Sequence, residues 1–140
     1  MRELDAVLDT SAIVCVLEDE PGADVVEERL TAAQAGQIQL GASCVSPVEV
    51  YYKAHESEGQ QNARKLITTV KSWPVEFIYP DETLCLVAGE MKALFPVSFA
   101  DAFVAATARE AKAVLFHKDP ELESLRGTVK LRALPYKRRR

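Results

Sequence analysis

The stretch Ala6 to Val14, AVLDTSAIV, decides how this chain is read. A short apolar run, Ala6-Val7-Leu8, stops on a carboxylate, Asp9, and two hydroxyl residues follow before apolar residues resume. Asp, Thr and Ser are ordinary helix caps, so Asp9 could be simple punctuation between a strand and a helix. Alternatively, a buried strand delivers a charged group to a site. The choice depends on what the rest of the chain brings to the same place.

Alternation of strand and helix patterns runs outward from this stretch. Leu4 to Leu8 reads as a strand and Thr10 to Glu18 as a helix, and Glu20-Pro21-Gly22 punctuates. A second helix places Val26, Leu30 and Ala33 on one face, and Gln37 to Ala42 reads as a strand in which Ile38 and Leu40 alternate with polar neighbours. Ser46-Pro47-Val48-Glu49 has the form of a helix start, with Ser as cap, Pro first and Glu third. Gly59 breaks that helix, and Ala63, Leu66, Ile67 and Val70 form the stripe of the next.

Val75 to Tyr79 is a strand between prolines, and Leu84, Val87, Ala88, Met91 and Phe95 mark another helix. After Pro96, Ser98 caps a helix carrying Phe99, Ala102, Phe103 and Ala106. Ala113 to Phe116 and Thr128 to Leu131 read as the last strands. Short apolar strands separated by one or two helices predict an α/β fold. Its central, mainly parallel sheet of four to five strands is covered on both faces, a three-layer α/β/α sandwich.

The bulk properties agree. With 140 residues, 48% of them hydrophobic and 27% charged, the chain has the size and balance of one globular domain. The domain is expected over residues 1–136, followed by a short basic tail, 137–140. That tail carries +4 of a net charge of −4, which leaves −8 on residues 1–136. So acidic a body argues against a broad electrostatic nucleic-acid footprint, though not against acids gathered in one place to hold cations. No apolar run approaches the ~18 residues of a membrane span, and MRELDAVLD lacks the apolar core of a signal peptide, so no membrane association and a cytoplasmic location are expected. Cys15, Cys44 and Cys85 are far apart and odd in number, which predicts buried reduced thiols.

In open parallel sheets, ligands sit beyond the carboxyl ends of the strands. Asp9 closes the first strand, Glu49 lies a few residues past the second, and Asp119 lies just beyond the fourth. Asp101 falls in the first turn of the helix feeding that fourth strand; the helix runs antiparallel to its strand, so its start lies at the same edge. Each acid alone has a plain explanation: a cap for Asp9, capping boxes for Glu49 and Asp101, an Asp-Pro turn for Asp119. Together they would form a costly cluster, since like charges at ~4 Å repel by roughly 4 kcal/mol at an effective dielectric of 20. A hard divalent cation, Mg²⁺ or Mn²⁺, resolves that cost and suits phosphodiester hydrolysis.

The ordered set D-T-S (9–11), S-x-x-E (46–49), A-D-A-x-x-A-A-x-A (100–108) and K-D-P-E (118–121) resembles the PIN-domain family, and in particular VapC toxins of toxin–antitoxin pairs. The resemblance runs nearly end to end, through LDAVLDTSAIVCVLEDEPG, CVSPVEVYYKA and PVSFADAFVAATAREAKAVLFHKDPELE. It implies a Mg²⁺- or Mn²⁺-dependent endoribonuclease whose acids are Asp9, Glu49, Asp101 and Asp119, as catalytic and metal-holding residues. It also implies Ser11 as a supporting hydroxyl, an RNA substrate, a VapB-like antitoxin lying across the groove, and a homodimer. One departure is that many members carry Thr or Ser two residues before the last acid, where this chain has His117.

His117 is expected near solvent at a strand end, Lys118 as an exposed lysine, and His55 as a partly buried packing residue. A PIN nuclease of RNA processing without an antitoxin, or an inactive PIN scaffold binding RNA or protein, shares the same residues. A phospho-accepting receiver domain does not. Its first strand would end on an acidic pair, and it has one helix between strands where this chain has two.

Overall fold

The strands are three or four residues long, and a computed structural model, describing residues 1–136, shows all of them in one sheet. The elements are β1 (Ala6–Leu8), α1 (Thr10–Leu17), α2 (Ala23–Gln34), β2 (Leu40–Ser43), α3 (Val45–Glu58), α4 (Gln60–Lys71), β3 (Val75–Ile78), α5 (Glu82–Leu94), α6 (Phe99–Glu110), β4 (Val114–His117) and β5 (Lys130–Ala133), with a 3-10 helix, Pro120–Leu125, before β5. The strand order is β3-β2-β1-β4-β5 and every pairing is parallel. The expected basic tail, 137–140, lies outside the described residues.

The alternation of side chains along the central strands divides the core into two layers. Val7 of β1 and Leu115 of β4 face α5 and α6, where Met91, Ala102, Ala105 and Ala108 meet them. Ala6 and Leu8, with Phe116 and Leu40, face the opposite layer, packed by Ile13, Val26, Val50 and Val70 of α1 to α4. Alanines on α6 let its backbone approach the sheet closely, with Ala105, Ala106 and Ala108 wholly buried. The α/β/α sandwich follows from these two faces.

Four local expectations are corrected. Gln37 to Gln39 stays outside the second strand, which is Leu40–Ser43 and buried at every position, so the apparent polar alternation was the approach to a two-sided strand. A Cβ on its Gly41 would overlap Leu4 Cδ1 and lie 3.2 Å from the Glu76 carbonyl, so glycine lets two strands and Leu4 close up there. The last strand is displaced two residues C-terminal of Thr128–Leu131. The third helix begins at Val45 rather than after Ser46, with Cys44 already helical at φ −56° and ψ −23°. Of the cysteines, only Cys15 is buried, whereas Cys85 is exposed.

The sheet order reverses between β1 and β4. From β1 the chain moves outward to β2 and β3, and the later strands build on its other side. Such a switch point leaves a crevice at the carboxyl ends of the two central strands, because their following segments diverge. Among the described residues, no helix is long and apolar enough to cross a membrane.

Candidate active site

Asp9 is the first residue past the carboxyl end of β1, and its amide donates to the Phe116 carbonyl of β4 at 2.9 Å, fixing it at the switch point. It is 4% exposed and caps α1: its Oδ2 accepts from the Ser11 amide at 3.1 Å and from the Ser11 hydroxyl. Ser11 Oγ in turn accepts from the Lys118 amide at 2.8 Å, so its proton is committed to Asp9. Thr10 points the other way. Its hydroxyl donates to Glu49 Oε1 at 2.7 Å and sits 2.9 Å from Ser46 Oγ. Two consecutive hydroxyls thus tie β1 to the ends of β2 and β4.

These contacts displace the capping box expected at Ser46. Ser46 is fully buried against Thr10, and Glu49 is engaged by Thr10, so neither terminates the helix. Ser98 does cap α6, accepting from the Asp101 amide at 3.1 Å, which places Asp101 in the first turn facing the crevice. Asp119 begins the 3-10 helix with Oδ1 accepting from the Glu121 amide at 3.0 Å. All four sequence-expected acids and Ser11 line one cleft of about 520 Å³.

The electrostatics record this crowding. Burial pushes the Asp9 carboxyl up to about 6 against the lowering pull of both Ser11 bonds, and Glu49 and Asp119 add to the rise. Asp101 is also pushed up to about 6, first by burial and then by Asp9 and Asp119. Two carboxyls raised in this way mark a cleft whose acids outnumber its two lysines, Lys53 and Lys118. Carboxylate oxygens of Asp101, Asp119 and Glu121 come within 4.8 Å of one another. These hard oxygen donors fit Mg²⁺ or Mn²⁺, with Asp9 and Glu49 facing the same cleft from outside that triple.

Glu121 was not singled out from the sequence, although the K-D-P-E motif contains it. It reaches Asp119 only because the 3-10 turn folds the chain back on itself. Thr10, expected only as a cap, and Tyr136, which the sequence did not single out, both line the cleft. His117 is not near solvent: it is fully buried, with Nδ1 accepting from the Asp119 amide at 3.2 Å. Its Nε2 has no hydrogen-bond partner and lies 3.6 Å from Glu123 Oε1, while burial pulls the imidazole down toward its neutral form. It supports the Asp119 backbone where a hydroxyl was the familiar residue.

Lys118 is buried too, with Nζ 2.8 Å from the Pro21 carbonyl and 3.4 Å from Glu20 Oε1. His55, by contrast, is exposed beside Tyr51.

The PIN-domain family model matches residues 6–127, a span that includes all four acids. The chain belongs to the PIN-domain family. Its fold is similar to that of a chain in DNA-bound VapBC from Salmonella typhimurium, with a TM-score of 0.77 at 18% identity over 93% of this chain and 98% of that one. It is likewise similar to VapBC2 from Rickettsia felis bound to a promoter DNA fragment, with a TM-score of 0.76 at 16% identity over 94% and 100%. VapC20 from Mycobacterium tuberculosis, a sarcin–ricin loop cleaving toxin, gives 0.67 at 18% identity over 90% and 98%. Among curated proteins, none matches this sequence. As a PIN domain, the chain presents its acids at the end of the sheet where this architecture forms its crevice.

Proposed function

We propose that this PIN-domain protein is a Mg²⁺- or Mn²⁺-dependent endoribonuclease, the toxin of a VapBC-type pair, held inactive by a VapB-like antitoxin. The observation that carries it is the meeting of Asp9, Glu49, Asp101 and Asp119, from four distant segments, in one cleft with two carboxyls raised to about 6. A structural role explains no such meeting, because the fold would be more stable without it. The similarity to VapBC chains supports the toxin assignment, and with it homodimer formation and action on RNA in the cytoplasm.

Asp101, Asp119 and Glu121, with Asp9 and Glu49 beside them, would hold the ion. When bound, the divalent cation supplies activation of water and stabilisation of charge on the phosphoryl and leaving oxygens. Ser11 holds Asp9 in one orientation, because its own hydroxyl is fixed between the Lys118 amide and the carboxylate. Thr10 fixes Glu49 in the same way. One of these acids, directly or through a water, accepts the proton from the attacking water, whose oxygen then bonds to phosphorus as the leaving oxygen departs.

The test is cleavage of RNA by the purified protein with Mg²⁺ or Mn²⁺, set against EDTA and against Asp101→Asn. Cleavage is expected only with metal and intact Asp101, and full activity in EDTA overturns the metal mechanism. Induction of the gene alone should arrest growth, with rescue by a neighbouring antitoxin frame. Cleavage without growth arrest would leave a PIN nuclease and remove the toxin assignment.

A further inference from the structure

Beyond β5 the chain crosses the end of the sheet as a strap, Leu134-Pro135-Tyr136, secured at each residue. The Leu134 amide donates to the His117 carbonyl at 2.7 Å, and its side chain is buried in the core layer of α1 to α4. Pro135 rests on Gly22, where a Cβ would lie 3.0 Å from Pro135 Cδ and 3.2 Å from Leu134 Cβ. The Tyr136 hydroxyl donates to Glu123 Oε1 at 2.8 Å, and Glu123 is held in addition by Arg126. The ring lies 6.2 Å from that of buried His117, and it is 39% exposed.

This strap delivers the one aromatic side chain among the described residues lining the acidic cleft. Because the phenol hydroxyl is committed to Glu123, Tyr136 does not offer the cleft an acid or a free donor. What it offers is the ring, which lines the cleft together with Asp119 and Pro120 and is held by the bond to Glu123. The remaining walls carry six carboxylates against two lysines, Lys53 and Lys118, so their net charge repels a phosphodiester except where a cation lies between them. A single-stranded nucleic acid needs an attraction that is indifferent to that charge, and stacking of a nucleobase on an aromatic ring supplies one.

We propose that Tyr136 is a substrate-stacking residue: its ring holds the base of a nucleotide adjoining the phosphodiester that lies among Asp9, Asp101 and Asp119. This rests on the ribonuclease function proposed above. Stacking of one base corresponds to roughly 1–3 kcal/mol, or on the order of 5- to 150-fold in affinity. The effect belongs to the ring and not to the hydroxyl, so Tyr136→Phe should retain it and Tyr136→Leu should not.

The experiment uses the full chain carrying Asp9→Asn, so that RNA stays intact, and reads binding by fluorescence anisotropy. Two probes are compared, a fluorescein-labelled single-stranded RNA 12-mer of mixed sequence and an abasic ribose-phosphate 12-mer. Tyr136→Leu should weaken RNA binding at least fivefold, leave abasic binding unchanged, and be rescued by Tyr136→Phe. Unchanged RNA binding in the Leu variant overturns the proposal. So does equal weakening by Phe and Leu, which would make Tyr136 a structural staple, or equal loss on the abasic probe. If the wild-type protein also cuts no RNA with metal present, the ribonuclease function fails; if it cuts while the Leu variant binds normally, only the stacking role fails.

Discussion

Replacing Asp9 by Asn should make the metal-free protein more stable while abolishing cleavage. In the folded protein the Asp9 carboxyl is raised from 3.8 to about 6, chiefly by burial, and that net value already includes the favourable Ser11 bonds. A carboxyl raised on folding is held more tightly as the acid in the native state, so its ionisation opposes folding. The penalty is absent below about pH 4, grows as pH rises to about 6, and is then constant. A shift of about two units, at 1.36 kcal/mol each, makes it roughly 3 kcal/mol at pH 8.

Asn keeps a carbonyl oxygen for both Ser11 donors and carries no charge. Urea unfolding in EDTA at pH 8 should therefore show Asp9→Asn up to about 3 kcal/mol more stable than wild type, a difference that closes by pH 4. Mg²⁺ should then stabilise wild type more than the variant, which keeps Asp101, Asp119 and Glu121 but has no charge at residue 9 for the ion to neutralise. A variant less stable than wild type at pH 8, or a gap that persists unchanged at pH 4, would refute the assignment of Asp9 as a buried, uncompensated carboxyl.

Other perturbations read other parts of the structure. Lys118→Met removes a cation whose side chain is 3% exposed and with it the 2.8 Å bond to the Pro21 carbonyl; chemical denaturation should register a loss of about 1–3 kcal/mol. Gly22→Ala places a Cβ against Pro135 at a residue with φ of +103°, so a loss of roughly 1–3 kcal/mol should appear in the same measurement, with weakened RNA binding as the strap shifts. Glu121→Gln should raise the Mn²⁺ concentration needed for half-maximal cleavage by about tenfold with little change in stability, as expected for a removed ligand on an exposed turn.

Much of this was legible in the residues because the periodicities that build an α/β sandwich are local. The strand–helix alternation located β1, β3 and β4 closely, and the rule that ligands meet strand carboxyl ends grouped Asp9, Glu49, Asp101 and Asp119 at one edge. What the residues concealed was decided by partners far away in sequence. Ser46 and Glu49 spell a capping box, yet Thr10, 36 and 39 positions earlier, draws both into the site. Lys118 looks like a surface lysine until the Glu20-Pro21 turn, nearly a hundred positions away, closes over it. His117 is buried by the strap and the 3-10 turn together, an enclosure that no local pattern encodes.

The hydrogen bond from the Lys118 amide to Ser11 spans 107 positions, and β1 has no pairing on that side until β4 is present. A ribosome making this chain releases Asp9 long before Asp119, which follows it by 110 residues. The acids therefore share an edge only once the segment through Asp119 has been made, and a product truncated before it retains at most a subset of them. Synthesis order acts as a timer on the site: a nascent chain holds Asp9 without its partners until β4 docks beside β1.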